Sequence, residues 1–149
     1  MRGASLALLL ASACIWGGES GHAERVDAAD VLELVSRMEA FYGLLESRSL
    51  DAIETFDDPA LHAFFRSDQE FSDYYASLAS QVRDARFRLS RADRVWVRTF
   101  RFIDPDTALA NVSLRGRHMR ELRFWNREVG RVDTWRRTSA GWTISPDKL

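Results

Sequence analysis

The apolar residues of this chain change their spacing once, near Ala85. Before that point they recur about every 3.6 residues, as on a helix with one buried face; beyond it they alternate, as on a strand with one wet face. Val31, Leu34, Val35, Met38, Phe41, Tyr42 and Leu45 form one stripe and predict a first helix from Ala28 to Glu46. Asp27 is its N-cap, and Asp30 and Glu33 suit the positive end of its dipole. Ser49 is read as the cap of a short turn carrying Leu50, Ile53 and Phe56. Asp58-Pro59 starts another short helix, with proline at the first helical position, bearing Leu61, Phe64 and Phe65. Ser67 and Glu70 have capping-box spacing before a helix that stacks Phe71, Tyr74, Tyr75, Leu78 and Val82.

After Ala85, Phe87 and Leu89 alternate with arginines. Arg94 to Ile103 reads as a long strand with Val95 and Val97 on one face and Trp96, Phe100 and Phe102 on the other. Asp104-Pro105-Asp106-Thr107 is a turn with proline at its first central position. The returning strand, Ala108 to Gly116, points Ala110, Val112 and Leu114 inward. A connection over Arg117 to Arg120 leads to a strand from Glu121 to Thr138, with a bulge or bend expected at Gly130. Ser139-Ala140-Gly141 turns the chain into Trp142-Thr-Ile144, and Pro146 ends the sheet. Helices first and an antiparallel meander second mean an α+β domain with its helices on one face of the sheet. A strongly bent sheet over a long first helix would make a cone whose mouth is a small-molecule pocket.

The apolar fraction of 46% excludes a disordered body, and 149 residues make one domain. The net charge of −1 conceals a division. Glu19 to Val82 holds 14 acids and 4 bases, whereas Arg83 to Arg137 holds 7 acids and 15 bases. A nucleic-acid patch is one reading of the basic half; acidic helices packed on an arginine-rich sheet is the other, and no nucleic-acid partner is inferred.

Residues 1–23 read as a signal peptide: a basic start at Arg2, an apolar run from Leu6 to Ala13, and small residues ending at Ala23. The mature domain would then span 24–149 and be exported, periplasmic or secreted. A rival cut before Cys14 would leave that cysteine lipidated and the protein anchored to the envelope. Cys14 is the sole cysteine, so neither case leaves a disulfide or thiolate site in the body.

Acid–base chemistry in such a pocket needs a desolvated carboxylate and a donor for a developing oxyanion. Glu128 and Asp133 are the candidate carboxylates on the long strands. Tyr42, Tyr74, Tyr75, His118, Asn126 and Arg131 are the candidate donors or bases. The competing readings are arginine pairing for the two acids, core packing for the tyrosines and solvent exposure for His118. Parity places Asn126 and Glu128 on one strand face and Arg127 and Arg131 on the other. Trp96, Trp125, Trp135 and Trp142 would fill the core or line a pocket. Three histidines, with His22 in the leader and His62 without a partner at ligand spacing, argue against a zinc site. The chain has no phosphate-binding glycine loop, serine nucleophile elbow or acidic calcium loop, and no cofactor is expected.

Several of these segments together resemble the nuclear-transport-factor-2-like superfamily, over roughly Val31 to Ile144. They are Ala40-Phe-Tyr-Gly-Leu-Leu-Glu-Ser47, Ser49-Leu-Asp-Ala-Ile53 and Asp106-Thr-Ala108. The closing part, Arg120-Glu-Leu-Arg-Phe124, Val132-Asp-Thr-Trp-Arg-Arg137 and Gly141-Trp-Thr-Ile144, continues the similarity. The resemblance implies a cone fold, with SnoaL-like cyclases and ketosteroid isomerases among its members and homodimers formed through the sheet. The expected function is non-catalytic binding of a small apolar ligand, or of a protein partner, with Tyr42, Tyr74, Trp96, His118, Asn126, Arg131 and Trp135 as candidate contacts. The alternatives are a lyase or isomerase acting through Asp133 or Glu128, and an envelope assembly module, because one fold hosts many functions.

Overall fold

The protein, seen as a computed structural model, is described over residues 26–118 and 125–146. The expected leader, Cys14 and the Glu121 start of the third strand lie outside these residues. The helical stripes build two long helices, α1 (Ala28–Leu45) and α4 (Asp68–Asp84), with single turns α2 (Ile53–Phe56) and α3 (Pro59–His62) between them. Three caps follow the sequence: Asp27 accepts from Ala29 N, Asp58 from Ala60 N and Ser67 from Glu70 N. Ser49 does not cap. Ala52 precedes α2 without a side-chain bond, and the Ser49 hydroxyl donates to the Leu89 carbonyl at 2.9 Å. Ile53 is 73% exposed, while Leu50 is buried.

Strands β1 (Arg94–Asp104), β2 (Thr107–Arg117), β3 (Asn126–Thr138) and β4 (Gly141–Ser145) form one open antiparallel sheet in sequential order. The alternation at Phe87 and Leu89 belongs to a turn, not a strand. Arg86, Leu89 and Ser90 take left-handed backbone angles (φ 56°, 58° and 46°), which reverse the chain out of α4. Phe87 is buried in the process and Leu89 is left exposed.

The irregularities in the sheet are both in β1, at Arg98 and at Ile103, and not at Gly130. β2 and β3 pair without a break from Thr107↔Arg136 to Arg117↔Asn126, with Gly130 opposite Ser113. β1 instead carries an extra residue between Val97 and Thr99. Such a bulge moves every later side chain to the other face. Phe100 and Phe102 therefore join Val95 and Val97 on the inner face, opposite Ala110, Ala108, Leu114 and Val112. One hydrophobic cluster then runs from Leu34, Met38 and Phe41 through Phe71 and Leu78 to Trp135, Trp142 and Ile144. Trp125 does not join it and is 63% exposed.

The register puts Arg94, Arg101, Arg115 and Arg117 on the outer face, away from this core. The acidic helices and the arginines are thus largely on opposite sides of the molecule, with Arg137–Asp30 as a pair that does join sheet to helix.

Candidate functional site

Strand parity sends Val129, Arg131, Asp133 and Trp135 of β3 to the core side, opposite Leu114, Val112, Ala110 and Ala108. Asp133 thereby enters an apolar interior, at 3% exposure. A buried carboxylate must be paired and hydrogen-bonded. Its Oδ2 accepts from the Tyr42 hydroxyl of α1 at 2.7 Å and from the Tyr74 hydroxyl of α4 at 2.9 Å. Its Oδ1 accepts from Arg131 Nε at 2.7 Å. The Arg131 guanidinium lies 4.3 Å above the Tyr74 ring and donates through Nη1 to Gln81 Oε1 at 3.3 Å. Trp135, fully buried, donates its indole N–H to the Tyr42 oxygen at 3.3 Å. The chain of donors runs Trp135, Tyr42, Asp133.

Burial, and then the Asp133 charge, hold both phenols well above the usual tyrosine range, so each remains a protonated donor. Burial alone would pull the Arg131 guanidinium down, but Tyr74, Asp133 and Tyr42 together raise it, and it stays charged. Asp133 therefore meets two neutral donors and one cation, and three hydrogen bonds occupy its two oxygens.

The cluster stands between two cavities. Tyr42 borders a cleft of about 620 Å³ between α1 and β1, walled mainly by Val35, Met38, Val95, Val97 and Phe100, with Glu39, Glu46, Arg98 and Thr99 also lining it. Gly43 adds no side chain there; a Cβ built on it meets nothing within 4 Å. Tyr74, Arg131 and Asp133 border a second cavity of about 300 Å³, between α4 and the β3–β4 end of the sheet.

Of the residues singled out by sequence, Tyr42, Tyr74, Arg131, Asp133 and Trp135 come together. Trp135 is sealed in the core and touches neither cavity. Tyr75 turns elsewhere and donates to the Leu50 carbonyl at 2.7 Å. Glu128 lies on the outer face, ion-paired with Arg98. Asn126 is on that face too, its amide oxygen accepting from Arg115 Nη2 at 2.7 Å and Nε at 3.2 Å. Trp96 is at the rim of the larger cleft, on the strand face opposite Val95 and Val97, between the guanidinium groups of Arg94 and Arg98. His118 pairs with Phe87 through an isolated bridge and is outside the Asp133 cluster. Sequence reasoning missed Gln81 and Ser77, although Gln81 falls two turns after Tyr74 on the same helix stripe. It also missed the cleft wall contributed by Phe100, because the bulge at Arg98 is silent in composition.

Among the described residues no group of three or more His, Cys, Asp or Glu side chains is placed to hold a metal ion, and no helix is long and apolar enough to cross a membrane. No protein-family model matches the chain, and neither a curated protein nor a solved structure matches it. What the fold and site define is an α+β domain with a neutralised carboxylate cluster set between an apolar and a polar cavity.

Proposed function

We propose that this chain is an exported member of the nuclear-transport-factor-2-like superfamily that holds a small apolar ligand between α1 and β1 and does not transform it. The observation that carries the reading is the apolar cleft of about 620 Å³. It falls within the range of about 300–1,000 Å³ typical of small-molecule sites. The Asp133 arrangement supports the non-catalytic part. A substrate reaching Oδ2 would have to displace Tyr42 or Tyr74, which would then be left unsatisfied in the core, and Oδ1 is held by the Arg131 cation. An isomerase-like reaction through Asp133 is thus the weaker alternative. Glu128 is weaker still, since it is on the far face with Arg98.

A homodimer through the sheet would bring together outer faces that carry Arg94, Arg101, Arg115 and Glu128, and the ligand reading does not depend on that pairing.

The test is native mass spectrometry of the protein purified from its own source, followed by fluorescence titration with the uncharged apolar probe N-phenyl-1-naphthylamine. A retained apolar mass, or saturable probe uptake at one site, is the expected result. Absence of both would end the proposal.

A further inference from the structure

The smaller cavity has its own chemistry. Arg131 forms part of its wall, with a side chain only 9% exposed. Nε is committed to Asp133, Nη1 to Gln81, and one face of the guanidinium to the Tyr74 ring. The remaining nitrogen, Nη2, has no hydrogen-bond partner among the described residues. Nη2 is open to the cavity and not among the buried unsatisfied atoms, so an acceptor brought in by a ligand can reach it and make a charge-assisted hydrogen bond. Facing it, Asp73, Ser77 and Gln81 recur every fourth residue along α4 and so form one polar stripe. Asp73 Oδ1 accepts from Gln69 Nε2 at 2.8 Å, which leaves Oδ2 for another donor.

Charge decides the ligand class. Arg131 is already balanced by Asp133, whereas Asp73 is not balanced within the cavity. A simple anion would satisfy Nη2 but would add a third negative charge beside Asp133 and Asp73. A simple cation would satisfy Asp73 but leave Nη2 unanswered. A molecule carrying both groups satisfies both ends without changing the net charge.

We propose that this cavity binds a small zwitterion of the amino-acid type, with its carboxylate on Arg131 Nη2 and its ammonium on Asp73. The volume of about 300 Å³ accommodates such a molecule. This site is separate from the apolar cleft, and the proposal does not rest on that cleft being occupied.

Calorimetry and thermal denaturation of the full chain with glycine, β-alanine and γ-aminobutyrate, against propionate and propylamine, test it. At least one zwitterion should raise Tm and bind at least about tenfold tighter than either single-charge control, as expected for one added charge contact of about 1.4 kcal/mol. Asp73→Asn should erase that preference. Ser77→Phe should fill the cavity and abolish binding while leaving the Arg131–Asp133 pair in place. N-phenyl-1-naphthylamine uptake should be the same in Ser77→Phe as in the parent, which shows a folded protein and separates this site from the apolar one. No zwitterion binding, binding no tighter than propionate, or binding retained by Ser77→Phe would each overturn the proposal.

Discussion

Tyr42 and Tyr74 donate to the same atom, Oδ2 of Asp133, at 2.7 and 2.9 Å. One phenol comes from α1 and the other from α4, so a single carboxylate oxygen ties both long helices to β3. Either Tyr→Phe change leaves that oxygen one donor, at a cost of about 1–3 kcal/mol. The double change leaves it none in a dry core. Urea denaturation of the four proteins of this cycle should show a double loss larger than the sum of the singles. Additivity within about 0.5 kcal/mol would mean the two bonds are independent.

Asp133→Asn and Glu128→Gln should separate sharply. The first leaves the Arg131 guanidinium without its counter-charge in the interior and should cost about 3–5 kcal/mol. The second removes half of a solvent-exposed ion pair with Arg98 and should cost less than about 1 kcal/mol. Equal losses in equilibrium unfolding would contradict the burial assigned to Asp133.

Tyr42, Tyr74 and Tyr75 are the chain's only tyrosines, which makes alkaline titration diagnostic. Burial, aided by the Asp51 charge, pushes Tyr75 up to about 12, and burial with Asp133 pushes the other two well above their usual range. Above the unfolded value near 10 the unfolded state loses phenolic protons that the folded state keeps, so stability falls as pH rises. It is full below about pH 10 and is progressively lost toward the folded values. Phenolate absorbance should therefore appear together with loss of circular dichroism, not before it. A tyrosine that ionises reversibly in folded protein near its ordinary value would refute the burial of that ring.

Gly43→Leu should move stability and binding in opposite directions. The position is helical, with open space around a new Cβ, and replacing glycine there favours the helix by about 0.5–1 kcal/mol. The same side chain would enter the apolar cleft, so probe uptake should fall at least tenfold while Tm holds or rises. Unchanged uptake would place the apolar site elsewhere.

Gly116→Ala should be costly for a purely steric reason. A Cβ there would sit 2.5 Å from the Phe87 ring and 2.9 Å from the Arg91 carbonyl, against a buried aromatic and fixed backbone. Overpacking of this kind costs about 1–3 kcal/mol, read as a lower urea midpoint. A neutral result would show that Phe87 moves freely.

Elements dictated by neighbouring residues were legible in the sequence. The caps at Asp27, Asp58 and Ser67, the stripes of α1 and α4, and the Asp104–Thr107 turn all depend on contacts a few residues apart. The strand faces were legible only as far as the count held. One extra residue at Arg98 reversed Phe100 and Phe102, and no composition marks a bulge built from an arginine between Val97 and Thr99. Gly130, which has the composition of a bulge, pairs regularly with Ser113.

The sequence by itself determined that helices precede an antiparallel sheet, because periodicity is local and each residue's face follows from its place in the repeat. Asp133 could be named a candidate from its strand, but its partners could not. Tyr42 is separated from it by 91 residues and Tyr74 by 59. Only the packing of α1 and α4 against the inner face of β3 brought both phenols and Arg131 to one carboxylate. That meeting is settled by which surfaces bury each other and by the need to satisfy a charge removed from water, and neither is written in any single stretch of chain.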